Sequence, residues 1–248
     1  MRLTQTAQLL CDALLTVTYP QPCLICGRSI ERRTLGVACE ACWSATKVFT
    51  SDEALCWKCG VLSGGISNAD CANVRCRRCD SHLFTAARAC GLYEGALRES
   101  VLSLKRQPHL SRHVVNLAVA ASSRHPLNLS TRIIPVPLHP ERQRSRGFNQ
   151  ASVIARAVSR SIGLPVDEVS MVRTVPSEKH RAGLDAKGRQ ETVSRAFEVR
   201  YPRLVSGEDI LLVDDVFTTG ATASSCAEAL IAAGANNVFV LTIARPGW

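Results

Sequence analysis

Residues 209–222 read Asp209-Ile210-Leu211-Leu212-Val213-Asp214-Asp215-Val216-Phe217-Thr218-Thr219-Gly220-Ala221-Thr222. Ile210 to Val213 form an apolar run of the kind that fills a buried strand, and the run ends in two adjacent carboxylates. A Thr-Thr-Gly turn follows, and from Ala221 the composition becomes Ala-rich and helical. Strand, short loop and helix in that order expose the unpaired N–H groups of a helix N-terminus, which together with the helix dipole favour a phosphate. Thr218, Thr219 and Thr222 add hydroxyl donors, and Gly220 lets the backbone approach the anion closely. The acid pair would repel a phosphate but suits the hydroxyls of a ribose. Phosphate at one end and diol at the other describe a ribose-5-phosphate site.

Two acids, two spacers, Thr-Thr-Gly and a further Thr resemble the signature with which type I phosphoribosyltransferases bind 5-phosphoribosyl-1-pyrophosphate (PRPP). The competing reading is a buried strand closed by polar turn residues, and the number of positions matched in a strand-to-helix context argues against it. The surrounding pattern agrees. Arg132–Val136, Val172–Val175, Phe197–Val199, Ile210–Val213 and Val238–Ile243 read as strands, and Asn149–Ser161 and Ala221–Ala233 as helices. Alternation of this sort marks a parallel sheet with helices on its faces, whose ligands bind beyond the carboxyl ends of the strands.

Cysteine spacing is the second signal. Cys23-x-x-Cys26 and Cys39-x-x-Cys42 are separated by 12 residues, and Cys56-x-x-Cys59 and Cys76-x-x-Cys79 by 16. Each quartet supplies four thiolates for one tetrahedral Zn²⁺, so two structural zinc ions are expected, paired sequentially because that needs only short loop closures; a cross-braced pairing is the alternative. Gly27 and Gly60 follow the second Cys of their pairs, where a knuckle needs positive φ. A disulfide framework would require an exported chain. Residues 3–17 are interrupted by Gln5, Gln8 and Asp12 and carry no cleavage-like tail, and no apolar run is long enough to span a membrane, so a cytoplasmic protein without membrane insertion is expected. Cys71 could compete with Cys76 as a ligand, whereas Cys11, Cys90 and Cys226 read as small buried hydrophobes.

At 248 residues and 46% hydrophobic content the chain can bury one sizeable core and a small satellite. The expected organisation is a short helical segment at 1–20, a double zinc ribbon at 21–82 and a phosphoribosyltransferase domain at 85–248. The net charge of +9 is clustered, at Arg75, Arg77 and Arg78, again from Arg98 through Lys105 and Arg106 to His113, and at Arg142, Arg144 and Arg146. Such clusters contact nucleic-acid phosphates or form a solvated basic face. Arg75, Arg77, Arg78, Lys105 and Arg106 are the candidates for single-stranded DNA. Aromatic content of 5% argues against base stacking as the main mode.

Ile134-Pro135-Val136-Pro137-Leu138-His139-Pro140, then Arg142-x-Arg144-x-Arg146-Gly147-Phe148-Asn149-Gln150, and later Gly183-Leu184 with Arg189, Val193 and Ala196-Phe197, complete a pattern that resembles the ComF family. These bacterial proteins join a double zinc ribbon to a phosphoribosyltransferase domain, and the resemblance runs from about Cys23 to Arg245. It implies a type I phosphoribosyltransferase fold and a role in DNA uptake, with PRPP and a helicase-type protein of the uptake machinery as expected partners. It also implies that Asp214 and Asp215 hold the ribose hydroxyls and Thr218, Thr219, Gly220, Ala221 and Thr222 the 5-phosphate. Val136, Pro137 and Leu138 match the pyrophosphate loop, and Arg181 to Arg189 the mobile loop that closes over the site, with Arg181 and Arg189 as its catalytic cations. Two departures stand in that loop. Arg181 occupies a position where the family often has Gln, and Thr192 one where Asn often follows.

The chemistry so implied is displacement at the anomeric carbon of PRPP by a nitrogen nucleophile, with Mg²⁺ on the diphosphate offsetting the leaving-group charge. The protein would supply position and electrostatics. Glutamine-dependent transfer is not expected, since the chain begins Met1-Arg2 and has no room for a glutaminase domain. The alternative is a non-catalytic protein that keeps the pocket as a PRPP sensor or scaffold and binds DNA.

Overall fold

The computed structural model describes residues 15–16, 18–50, 53, 55–62, 76–174 and 196–247. Its helices and strands are α1 (Glu40–Ser44), β1 (Ala86–Leu92), α2 (Gly95–Leu104), α3 (Arg112–Ser122), β2 (Arg132–Pro135), α4 (Pro140–Arg146), α5 (Gln150–Ile162), β3 (Met171–Arg173), β4 (Phe197–Val199), β5 (Asp209–Val216), α6 (Ala221–Ala232) and β6 (Asn237–Arg245). Of the segment expected to be helical at 1–20, residues 15–16 and 18 are helical, and 1–14 and 17 lie outside the described residues.

Among the described residues the main sheet has the order β1-β6-β5-β2 and is parallel throughout, with Pro135 opposite Val213 and Asp214 opposite Thr242. Leu211, Leu212 and Val213 are fully buried, because a parallel strand in this position is covered on both faces. On one face Leu211, Val213, Phe239 and Leu241 pack with Leu97 and Val101 of α2, Val114 and Ala118 of α3 and Ile154 and Val158 of α5. On the other, Ile210, Leu212, Val238 and Val240 pack with Cys226, Ala227 and Leu230 of α6 and with Met171 and Phe197.

Strands β3 and β4 correct the expectation that every strand joins the parallel sheet. They pair antiparallel with each other in a separate two-stranded unit. Val175 lies outside the described residues. The cysteine-rich segment also departs from the satellite expected at 21–82. Among the described residues its buried side chains form no separate core: Cys23, Ile30, Leu35, Cys39 and Trp43 join the first face, and Cys56, Cys59, Cys79 and Phe84 the second. The stretch between the two quartets adds to the edge of β1, where Val48 bridges Gly91 and Phe49 N–H donates to Cys90 O at 2.8 Å.

Candidate functional site

Strand β5 carries the acid pair to its carboxyl end, and the next five residues turn into α6. Gly220 is the N-cap of that helix at φ 82°, a left-handed conformation that favours glycine. Thr218, Thr219, Ala221 and Thr222 are exposed around it. Asp214, Thr218, Gly220 and Thr222 border one small cavity of about 20 Å³ inside the turn.

Successive side chains of a strand point to opposite faces. Asp214 therefore continues the Ile210–Leu212 row toward α6, and Asp215 the Leu211–Val213 row toward α2. Burial, and next the charge of Asp215, push the Asp214 carboxyl up to about 7. Its Oδ1 accepts the N–H of Asp215 at 2.8 Å. Asp215 faces Lys105, the C-cap of α2, whose Nζ lies 3.7 Å from Oδ2. Lys105 thus belongs to the surroundings of the acid pair.

Parallel pairing of β2 with β5 brings the Pro135–Leu138 turn beside the acids. Val136 is buried, its N–H donates to Val213 O at 2.8 Å and its carbonyl accepts Asn149 Nδ2 at 2.9 Å. Its backbone groups are engaged, so Val136 is a wall of the turn and not a donor to a ligand; Pro137 and Leu138 are half-buried beyond it. Asn149 also caps α5 by accepting Ala151 N–H at 3.0 Å, which gives the Arg146-to-Gln150 signature a structural role. Arg142 and Arg144 are exposed on α4. Arg75, Arg181 and Arg189 lie outside the described residues, as do Cys11 and Cys71. Arg78 lies in a single 3-10 turn, Arg77–Cys79, and Arg77 and Arg106 are exposed.

The two cysteine quartets assemble in the sequential pairing, with all four sulfurs of each within 4.8 Å of one another. Sulfur separations of 3.6 Å for Cys26–Cys39, 3.7 Å for Cys56–Cys79 and 3.4 Å for Cys59–Cys76 match the edge of a tetrahedron around zinc, about 3.8 Å for a 2.3 Å Zn–S bond. They are far longer than a disulfide. The knuckles repeat each other closely. Gly27 N–H donates to Cys23 O at 2.9 Å and Gly60 N–H to Cys56 O at 2.8 Å, with the glycines at φ 75° and 68°. Backbone donors point at sulfur, as where Cys76 N–H meets Cys56 Sγ at 3.3 Å. Hydrogen bonds from the Arg28 backbone and then its side chain draw the exposed Cys26 thiol down to about 6. The donor set fits a structural zinc in each quartet. Cys90 and Cys226 are buried, and burial pushes the Cys90 thiol up to about 12.

Sequence reasoning missed what joins the second quartet to the turn. His82, three residues past Cys79, lies along one cleft with Thr218 and Thr219 and stacks on Phe84 at 5.0 Å. Lys58 Nζ donates to His82 O at 2.7 Å, and Leu83 N–H to Ser224 Oγ in the first turn of α6 at 3.0 Å. A Cβ on Gly220 would sit 2.8 Å from both His82 Nε2 and Phe217 Cζ. The sequence offered a His just past a knuckle as the signal.

A parallel sheet with flanking helices, an acid pair and threonine turn at the carboxyl end of a central strand, and two preceding four-cysteine clusters match the type I phosphoribosyltransferase fold preceded by clusters that fit a double zinc ribbon. The chain is 29% identical to the DNA utilization protein YhgH of Shigella flexneri, across 92% of this chain and 99% of that one. It is 24% identical to the Competence protein ComFC of Bacillus subtilis, across 90% and 94%, and 35% identical to the Competence protein F of Haemophilus influenzae, across 52% and 57%. These relatives and the two cysteine clusters support the resemblance to the ComF family. No family model matches it. Similar solved structures include a glutamine PRPP amidotransferase from B. subtilis, at 16% identity over 55% of this chain and 28% of that one with a TM-score of 0.38. Another is the adenine phosphoribosyltransferase of Leishmania tarentolae, at 16% identity over 60% and 74% with a TM-score of 0.35.

Proposed function

We propose that the protein binds PRPP with its 5-phosphate in the Thr218–Thr222 turn and its ribose hydroxyls at Asp214 and Asp215, and transfers the phosphoribosyl group to a nitrogen nucleophile. The observation that carries this reading is the convergence of the acid pair and the threonine turn at one strand end, with Gly220 in the left-handed conformation that opens the α6 N-terminus. Pro137 and Leu138 adjoin the place where a diphosphate would leave. Mg²⁺ bound with PRPP would offset the charge of that leaving group. Arg181 and Arg189 are assigned to closure by resemblance. Calorimetry of the folded Asp214→Ala/Asp215→Ala double variant should show PRPP affinity at least 10-fold below the unmodified protein, and unchanged affinity would refute the site. A pyrophosphate-release screen against nucleobases and amines tests transfer, and a protein that binds PRPP without turnover would be the sensor or scaffold instead.

The relatives' names, DNA utilization protein and Competence protein, support a setting in DNA handling. In that setting exposed Arg77 and Arg106 contact phosphates of single-stranded DNA. Changing both to Ala should lower the salt slope of DNA binding by about 1.4, at roughly 0.7 per phosphate contact on single strands. A slope unmoved in the double variant would return these residues to a solvated basic face. No helix among the described residues is long and apolar enough to cross a membrane. A cytoplasmic location follows from the expected zinc-thiolate chemistry.

A further inference from the structure

The two cysteine knuckles share one backbone turn and sit in opposite surroundings. A Cβ added at Gly27 would meet nothing within 4 Å, whereas one at Gly60, the equivalent position, would lie 2.6 Å from Ala87 O of β1. Ala87 N–H also donates to Lys58 O at 2.6 Å, and Lys58 Nζ donates to His82 O at 2.7 Å. The second knuckle is therefore clamped between β1 and the segment after Cys79. The first knuckle projects. Leu24 and Ile25 at its tip are 50% and 43% exposed, and Cys26 is exposed beside them. No other thiol of the two quartets is: Cys23, Cys39, Cys56, Cys59 and Cys79 are buried, and Cys42 and Cys76 half-buried.

A thiolate is both the metal ligand and the nucleophile, and its oxidation follows thiolate character and access. Character is alike in two sets of four thiolates, so access separates them. Close sulfur neighbours are also common to both sets, with Cys26–Cys39 at 3.6 Å and Cys59–Cys76 at 3.4 Å. Only in the first set does such a pair include an exposed member.

We propose that Cys26 is a peroxide-reactive site, at which oxidation releases the first zinc ion while the second is retained. Cys26 Sγ attacks one oxygen of hydrogen peroxide, the O–O bond breaks, and a sulfenic acid forms as the other oxygen takes a proton and leaves as water. Cys39 Sγ then attacks the Cys26 sulfur. An S–S bond forms, the S–O bond breaks, and the hydroxide takes a second proton and leaves as a second water. The two thiolates have lost two electrons, the peroxide has gained them, and Zn²⁺ keeps too few thiolates to stay bound.

The test is zinc release from the full, metal-loaded chain under hydrogen peroxide, followed with a chromogenic chelator. One zinc per chain is expected to leave at least about 10-fold faster than the other. Cys79→Ser, which keeps the first set intact, should release its zinc at the fast rate, and Cys26→Ser, which keeps the second, at the slow one. Cys26→His still offers four ligands, three thiolates and an imidazole, and should hold its first zinc through the treatment. Mass spectrometry of the fast product should find Cys26 joined to Cys39. No release, release of both ions at one rate, faster release from the second set, or an unmodified Cys26 in the product would overturn the proposal. The two rates and the disulfide map of the unmodified protein decide it if a variant fails to take up zinc.

Discussion

Asp214 and Asp215 are adjacent and chemically identical, yet the strand turns them to opposite faces, where one meets burial and the other Lys105. The Asp214 carboxyl is raised from its ordinary 3.8 to about 7, first by burial and then by the Asp215 charge. A carboxyl with a raised folded-state pKa binds its proton more tightly in the native than in the unfolded chain. Stability from this residue is therefore full below about 4 and is lost as pH rises through about 7. Asp214→Asn, which cannot ionise, should raise the melting temperature at pH 8 relative to the unmodified protein and change it little at pH 4. A gain of about 2–4 °C corresponds to each kcal/mol in a chain of this size. Melting curves that differ by the same amount at both pH values would show that the Asp214 charge does not oppose folding. The acid pair was legible from residues 209–222 alone. Its inequality was not, because it depends on Lys105 and on the covering of β5, which the chain supplies from distant segments.

At the scale of elements, strand, turn and helix were readable because each has its own signal: an apolar run, Thr-Thr-Gly, and an Ala-rich segment. Strand β1 was not, since Ala86-Ala87-Arg88-Ala89-Cys90-Gly91-Leu92 shows neither alternation nor β-branched residues; it is a strand because β6 on one side and residues 48–49 on the other pair with it. Helices α2 and α3 were hidden under the basic residues that mark their surfaces. The Gly220 turn yields a prediction that separates conformation from packing. Gly220 and Gly207 have φ of 82° and 78°, but an added Cβ at Gly207 meets nothing within 4 Å. Gly207→Ala should therefore lose only the backbone preference, about 1 kcal/mol. Gly220→Ala must also displace His82 or Phe217, and an additional 1–3 kcal/mol is expected from overpacking, roughly. Equal destabilisation of the two variants in urea unfolding would mean that His82 does not press on the turn.

Across the whole molecule, the quartets were legible as two metal sites, whereas their placement on opposite faces of the sheet was not. Spacing reports which thiols can share an ion, and says nothing of which core they close. The first quartet lies in the core built with α2, α3 and α5, and the second in the core built with α6. Among the described residues it is the second that is tied to the phosphate turn, through His82 against Gly220 and Leu83 on Ser224. Metal analysis of the protein purified in reducing buffer should give about two zinc ions per chain, one for each thiolate quartet. Cys26→Ser and Cys79→Ser should each leave about one, since either removes a ligand from a single tetrahedral set. Their effects on the ligand site should differ. Cys79→Ser frees the segment that carries His82 and is expected to weaken PRPP binding by about 10-fold, or about 1.4 kcal/mol. Cys26→Ser is expected to leave PRPP affinity within about twofold, because its loop meets neither β5's carboxyl end nor the α6 N-terminus. PRPP affinity that falls equally in both folded variants would show general loosening of the fold and remove the second quartet's particular hold on the turn.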